Sequence, residues 1–106
     1  MPTSFRRFEI LLPLQFNDGT EVPAERFAEA LEEVEDRFGA VSSESQVIVG
    51  YWRHEGQPYR DRLARIFVDV PDTDENRQFF ADWKGRLKQQ FDQLDIWITS
   101  HPVEVV

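Results

Sequence analysis

The sequence predicts an α+β fold in which an antiparallel sheet carries two helices on one face, and three observations predict it. Four segments alternate apolar and polar residues with the two-residue period of a strand, and two segments repeat apolar residues at three- and four-residue spacing, as amphipathic helices do. They follow one another as strand, helix, strand, strand, helix, strand. The clearest stretch runs from Leu63 to Phe91, where LARIFVDV reads as a buried strand, PDTDEN as a capped turn and RQFFADWKGRLKQQF as a helix.

In chain order, Phe8, Ile10, Leu12 and Leu14 alternate with Arg7, Glu9, Leu11 and Pro13, which predicts a first strand over 5–14 with its regular ladder ending near Pro13. Asn17-Asp18-Gly19-Thr20 is turn chemistry. Pro23 suits the first position of a helix over 23–38, with Phe27, Leu31, Val34 and Phe38 as its buried stripe and Gly39 as its stop. Ser42, Ser43, Glu44 and Ser45 read as a polar connector. A second strand over 46–54 sets Val47, Val49 and Tyr51 on one side and Ile48, Gly50 and Trp52 on the other. A four-residue loop, Glu55-Gly56-Gln57-Pro58, then leads into a third strand over 59–70, setting His54 opposite Tyr59, Arg53 opposite Arg60 and Trp52 opposite Asp61. Pro71 cannot continue the ladder. Asp72 and Glu75 predict a capping box opening a helix over 73–91, whose stripe is Phe80, Trp83, Leu87 and Phe91. Leu94, Ile96 and Ile98 alternate with Asp95, Trp97 and Thr99 to give a fourth strand over 94–99, and Ser100-His101-Pro102 shapes the chain's exit. This order is the split βαβ, or ferredoxin-like, sandwich.

One domain over 1–106 is expected, because 106 residues bury one core and too little for two. No cysteine occurs, which excludes disulfides and thiolate chemistry and agrees with a reducing cytoplasm. The apolar run near the start is short and broken by Pro13 and Gln15, so neither a signal peptide nor a membrane span is expected. A net charge of −8 disfavours nucleic acid as a partner. The acid concentrates on the first helix, where Glu25, Glu29, Glu32 and Asp36 recur along one side. With no histidine among them they read as a solvated face rather than a metal cluster.

The strand face turned away from the helices should carry Leu11, Ile48, Trp52, Leu63, Phe67 and Trp97 among Glu9, Asp61, Arg65, Asp69 and Asp95. That side is too apolar to leave wet. It predicts a homo-oligomer packed through the open sheet face with Trp52, Leu63, Phe67 and Trp97 as anchors, or a small-molecule pocket beside such an interface. RNA-binding sheets of this topology need a basic surround and a glycine-aromatic signature, and neither is present.

The hairpin concentrates polar and aromatic residues. Arg53, His54, Tyr59 and Arg60 are the candidate ligand-binding group, since two facing arginines call for a carboxylate or phosphate between them. The plainer alternative is pairing with the acidic helix or an oligomer mate. His54 and His101 are the only histidines and the natural proton carriers near neutrality. His54-Glu55 lacks a third ligand at usable spacing, so no metal site and no cofactor are expected. No GxSxG, P-loop, HExxH or dinucleotide motif occurs.

On YWRHEGQPYRDRL, VDVPDTDENRQFF and IWITSHPVEV, the chain resembles a family of short uncharacterised bacterial proteins, from the first helix onward. The resemblance implies a ferredoxin-like domain and supplies no catalytic residue. The expected function is a non-catalytic oligomeric module for interaction or for binding a small anion. The alternative is a dimeric α+β barrel-type enzyme moving a proton with His54, Tyr59 or Asp61 on a hydrophobic substrate.

Overall fold

The alternation in Phe5–Pro13 produces β1, and β1 has a strand along each of its edges, which places it inside the sheet. In the computed structural model, which describes residues 4–44 and 46–106, the chain continues through α1 (Ala24–Phe38), β2 (Ser42–Ser43), β3 (Ile48–His54), β4 (Gln57–Pro71), α2 (Asp74–Gln90) and β5 (Trp97–Val103). The strands run antiparallel in the order β2-β4-β1-β5, with β3 also on β4. This is the ferredoxin-like arrangement the element order predicted, with the second strand divided in two.

The buried layer lies between the sheet and the helices. Phe8, Ile10 and Leu12 of β1 and Ile66, Val68 and Val70 of β4 meet Val34 of α1 and Phe80, Trp83 and Leu87 of α2. Phe8 stacks on Phe80 at 4.0 Å between ring centroids, and Phe80 stacks on Phe38 at 5.6 Å. Each such side chain fully withdrawn from water stabilises the fold by about 1.5–3 kcal/mol, so this layer holds the helices to the sheet. Gly39 ends α1 at φ 83°, where its N–H donates to Glu35 O.

The hairpin is tighter than expected. Glu55 and Gly56 alone form the turn at φ 50° and 78°, so His54 faces Gln57, Arg53 faces Pro58, Trp52 faces Tyr59 and Tyr51 faces Arg60. The expected pairs His54–Tyr59, Arg53–Arg60 and Trp52–Asp61 are therefore not formed. Positive φ at both turn positions closes the ladder two residues earlier than a loop reaching Pro58.

The second strand, expected over 46–54, starts at Ile48 and is preceded by a short separate one. Ser42 and Ser43, expected in a connector, pair with Phe67 and Ile66, and pairing resumes at Ile48 against Leu63. The reading of Ser45 as a loop residue lies outside the described residues. α2 is capped by Thr73, whose Oγ1 accepts from Asn76 N–H at 3.1 Å, and not by Asp72. Asp72 instead accepts from Arg6 and Arg77, and Arg77 foremost and Arg6 with it hold its carboxyl below the usual range. β5 starts three residues later than expected and runs through His101-Pro102, which the sheet tolerates because β5 is an edge strand. Leu94 consequently lies in the turn before it, 57% exposed, rather than facing the helices.

β4 is the long element. Residues 63–71 lie beside β1, whereas among the described residues 57–62 form a strand ladder with β3 alone, so the hairpin continues past β1 as a two-stranded ribbon. Val47 and Val49, expected under the helices, are 43% and 40% exposed for this reason.

Candidate functional site

Strand register decides what the open face presents. Glu9 faces Phe67, Arg7 faces Asp69 and Leu11 faces Arg65, so these six side chains share the side away from the helices. Leu63, Asp61, Tyr59, Ile48, Gly50 and Trp52 continue it onto the ribbon, and Trp97 joins it opposite Leu11.

At one end the face is closed by charge. Arg7 grips Asp69 with two bonds of 2.8 and 3.0 Å, and this fork holds the Asp69 carboxyl below the usual carboxylate range. Arg65 bonds Glu9 and Glu44. The two guanidinium groups lie 4.7 and 4.6 Å from the Phe67 ring centroid, so the expected interface anchor Phe67 sits beneath a lid of paired arginines.

At the other end the face opens into a cleft of about 480 Å³. Leu11 and Leu63 line its floor, Trp52, Tyr59 and Asp61 come from the ribbon, and Leu94 and Trp97 come from the opposite bank. Trp52 stacks on Tyr59 at 4.4 Å and donates its indole N–H to Asp61 Oδ2. That bond fixes the ring and aims the carboxylate. Asp95 on the far bank is engaged by Lys84 at 3.1 Å and Gln93 donates to Phe91 O at 3.0 Å, whereas Asp61 has no lysine or arginine within 4 Å among the described residues. Gly50 keeps the floor open, since a Cβ there would stand 3.1 Å from Leu63 Cδ1.

The structure divides the candidate ligand group between two faces. Tyr59 is in the cleft. His54 shares that face but lies toward the turn, beside Glu55 at 3.7 Å, and does not line the cleft. Arg53 and Arg60 are on the other face of the ribbon, with Tyr51 and Arg62. Trp52, Leu63 and Trp97 come together around the cleft. His101 pairs in register with Arg7, far along the face from the cleft. Asn17, Gln93 and Leu94 were not foreseen as lining residues; Asn17 and Gln93 sit in connections, where no periodicity marks them, and Leu94, read as the start of the last strand, lies in the connection before it. Among the described residues no group of three His, Asp or Glu could hold a metal ion, and no helix is long and apolar enough to cross a membrane.

No protein-family model and no curated protein matches the chain. Solved structures do. A phage SAM lyase in complex with S-methyl-5′-thioadenosine aligns with a TM-score of 0.68 and 13% identity, covering 99% of this chain and 92% of that one. CutA from Synechococcus elongatus aligns with 0.65 and 10% identity over 96% and 79%, and the divalent cation tolerance protein CutA from Thermus thermophilus with 0.65 and 13% over 96% and 86%. At such identities the likeness is one of fold: two helices on an antiparallel sheet, as in these small α+β proteins.

Proposed function

We propose that the chain works in the cytoplasm as a homo-oligomeric module that binds a small cation carried on a flat aromatic body, and that adenosine sulfonium compounds are the class it takes. The cleft carries this reading: a carboxylate without a cationic partner among the described residues, held in place by an indole, among aromatic walls. A buried cation gains from an aromatic face and from the opposite charge together, whereas an anion would meet only Asp61. Arg53 and Arg60, expected to attract an anion, lie across the ribbon from this space.

The ligand class draws on the phage SAM lyase, whose complex holds an adenosine thioether. The oligomer draws on the open side of the cleft, where Trp97 is 63% exposed and needs a cover. A second reading, an enzyme in which Asp61 or Tyr59 moves a proton, is favoured by the presence of both in the cleft wall.

Calorimetry with S-adenosylmethionine and with S-methyl-5′-thioadenosine tests the binding. The expected result is that Asp61→Asn weakens the sulfonium by about tenfold or more while the neutral thioether changes little. No binding of either compound to the native protein overturns the reading. Disappearance of the sulfonium on incubation, abolished in Asp61→Asn, selects the enzyme.

A further inference from the structure

The face of the ribbon opposite the cleft is unsupported. Beyond β1 the ribbon has two strands, with the start of α1 near its Arg62 end, and a two-stranded hairpin is marginal in water by itself. This face carries Tyr51, 73% exposed, with Val49 beside it, and three arginines, Arg53, Arg60 and Arg62. None of the three has a carboxylate within 4 Å among the described residues. The acid that would match them is on the same chain but does not pair with them: Arg62 borders a hollow with Glu21, Ala24 and Phe27 at the start of α1, while Glu25, Glu29, Glu32 and Asp36 are exposed on α1 and none of them has a cationic partner among the described residues.

We infer that this ribbon face docks on the outer face of α1 in a second copy of the chain. The dimensions agree. At 1.5 Å per residue the acidic row from Glu25 to Asp36 spans about 16 Å. At about 3.3 Å per residue the basic row from Arg62 to the level of Arg53, opposite Pro58, spans about 13 Å. Tyr51 and Val49 lie between the arginines and lose water on docking, and Arg60 already leans over the Tyr51 ring at 5.9 Å. The two surfaces differ, so the contact is head to tail and builds either a closed ring or a reciprocal pair. Its three arginines do not line the cleft, and of its residues Tyr51 alone is shared with the cleft's lining.

Sedimentation velocity at low and moderate salt reads the docking against the monomer mass of 12.5 kDa. Arg60→Glu with Arg62→Glu should weaken self-association by about tenfold or more, and Glu29→Arg with Glu32→Arg should do the same. Mixed, the two variants should associate again, because the reversed helix-bearing copy keeps a basic ribbon for the other's acidic helix. All four positions are exposed, and circular dichroism checks that each variant is folded. Wild-type association in either double variant, or no association in the mixture, overturns the docking. Sulfonium binding retained by the dissociated variants separates that failure from failure of the cleft reading.

Discussion

The two ends of the open sheet face are built from the same strands and solve the problem of a second apolar surface in opposite ways. Around Phe67 the sheet spends two arginines and three carboxylates on a local lid, so the ring is shielded without any other molecule. Around Leu11 and Leu63 no such lid is formed among the described residues, and the stacked Trp52–Tyr59 pair stands apart from Trp97 to leave a space. Register is the cause of the difference. Arg7, Arg65 and Asp69 fall on open-face positions where β1 and β4 lie side by side, and the open-face positions that follow are Leu63 at the end of that pairing and Asp61 and Tyr59 on the ribbon. A sheet that needed only to be covered would repeat the first solution, which makes the second the better guide to function.

Four changes break or sharpen that contrast, the largest first. Trp52→Ala removes the stack on Tyr59 and leaves Asp61 without its donor, and should cost about 2 kcal/mol in urea unfolding together with the cleft's ligand binding. Arg65→Ala uncovers one side of Phe67 and strands Glu9 and Glu44. Its half-exposed ion pairs predict a loss of about 1 kcal/mol, with ligand affinity unchanged. Gly50→Ala places a methyl 3.1 Å from Leu63 Cδ1 and should lower ligand affinity several-fold, with the unfolding free energy changed by less than about 1 kcal/mol because the strand's preference for Ala over Gly offsets part of the crowding. Acid separates the ends most gently. Asp69 and Asp72 ionise below the ordinary carboxylate value near 4, so the unfolded chain binds more protons in that window. Their contribution is complete at neutral pH and fades as pH falls below about 4, as thermal unfolding against pH would record. A midpoint rising as pH falls from 4 to 2 would contradict this.

How much of this was legible in the sequence follows from the range of each interaction. Both helices and the helix-facing side of β1 and β4 could be read from periodicity, because burial on one side imposes a pattern along the chain itself. The membership of the open face, from Leu11 to Trp97, was legible for the same reason. The hairpin register was not. Pro58 looked like a loop residue because it lacks an N–H, yet alternation of bonded and non-bonded pairs turns its nitrogen toward the unpartnered edge of β4, where a missing donor costs nothing. That two-residue slip in pairing kept Arg53 and Arg60 on one face but set them diagonal to each other, and it placed Tyr59 beside Trp52. The arginine lid over Phe67 and the connection residues Asn17 and Gln93 depend on contacts between distant segments, which no local pattern records.

The unequal flanking of β4 carries over to how the molecule breathes. Amides of residues 63–71 lie beside β1 and open only with the whole sheet, whereas those of 57–62 and of β3 are held by a single ladder. Native-state hydrogen exchange should therefore resolve two free energies within one strand, the lower belonging to the segment that carries Trp52, Tyr59 and Asp61. Any molecule that engages that segment is linked to its opening equilibrium, so bound ligand should slow exchange there and leave the rest of β4 almost untouched.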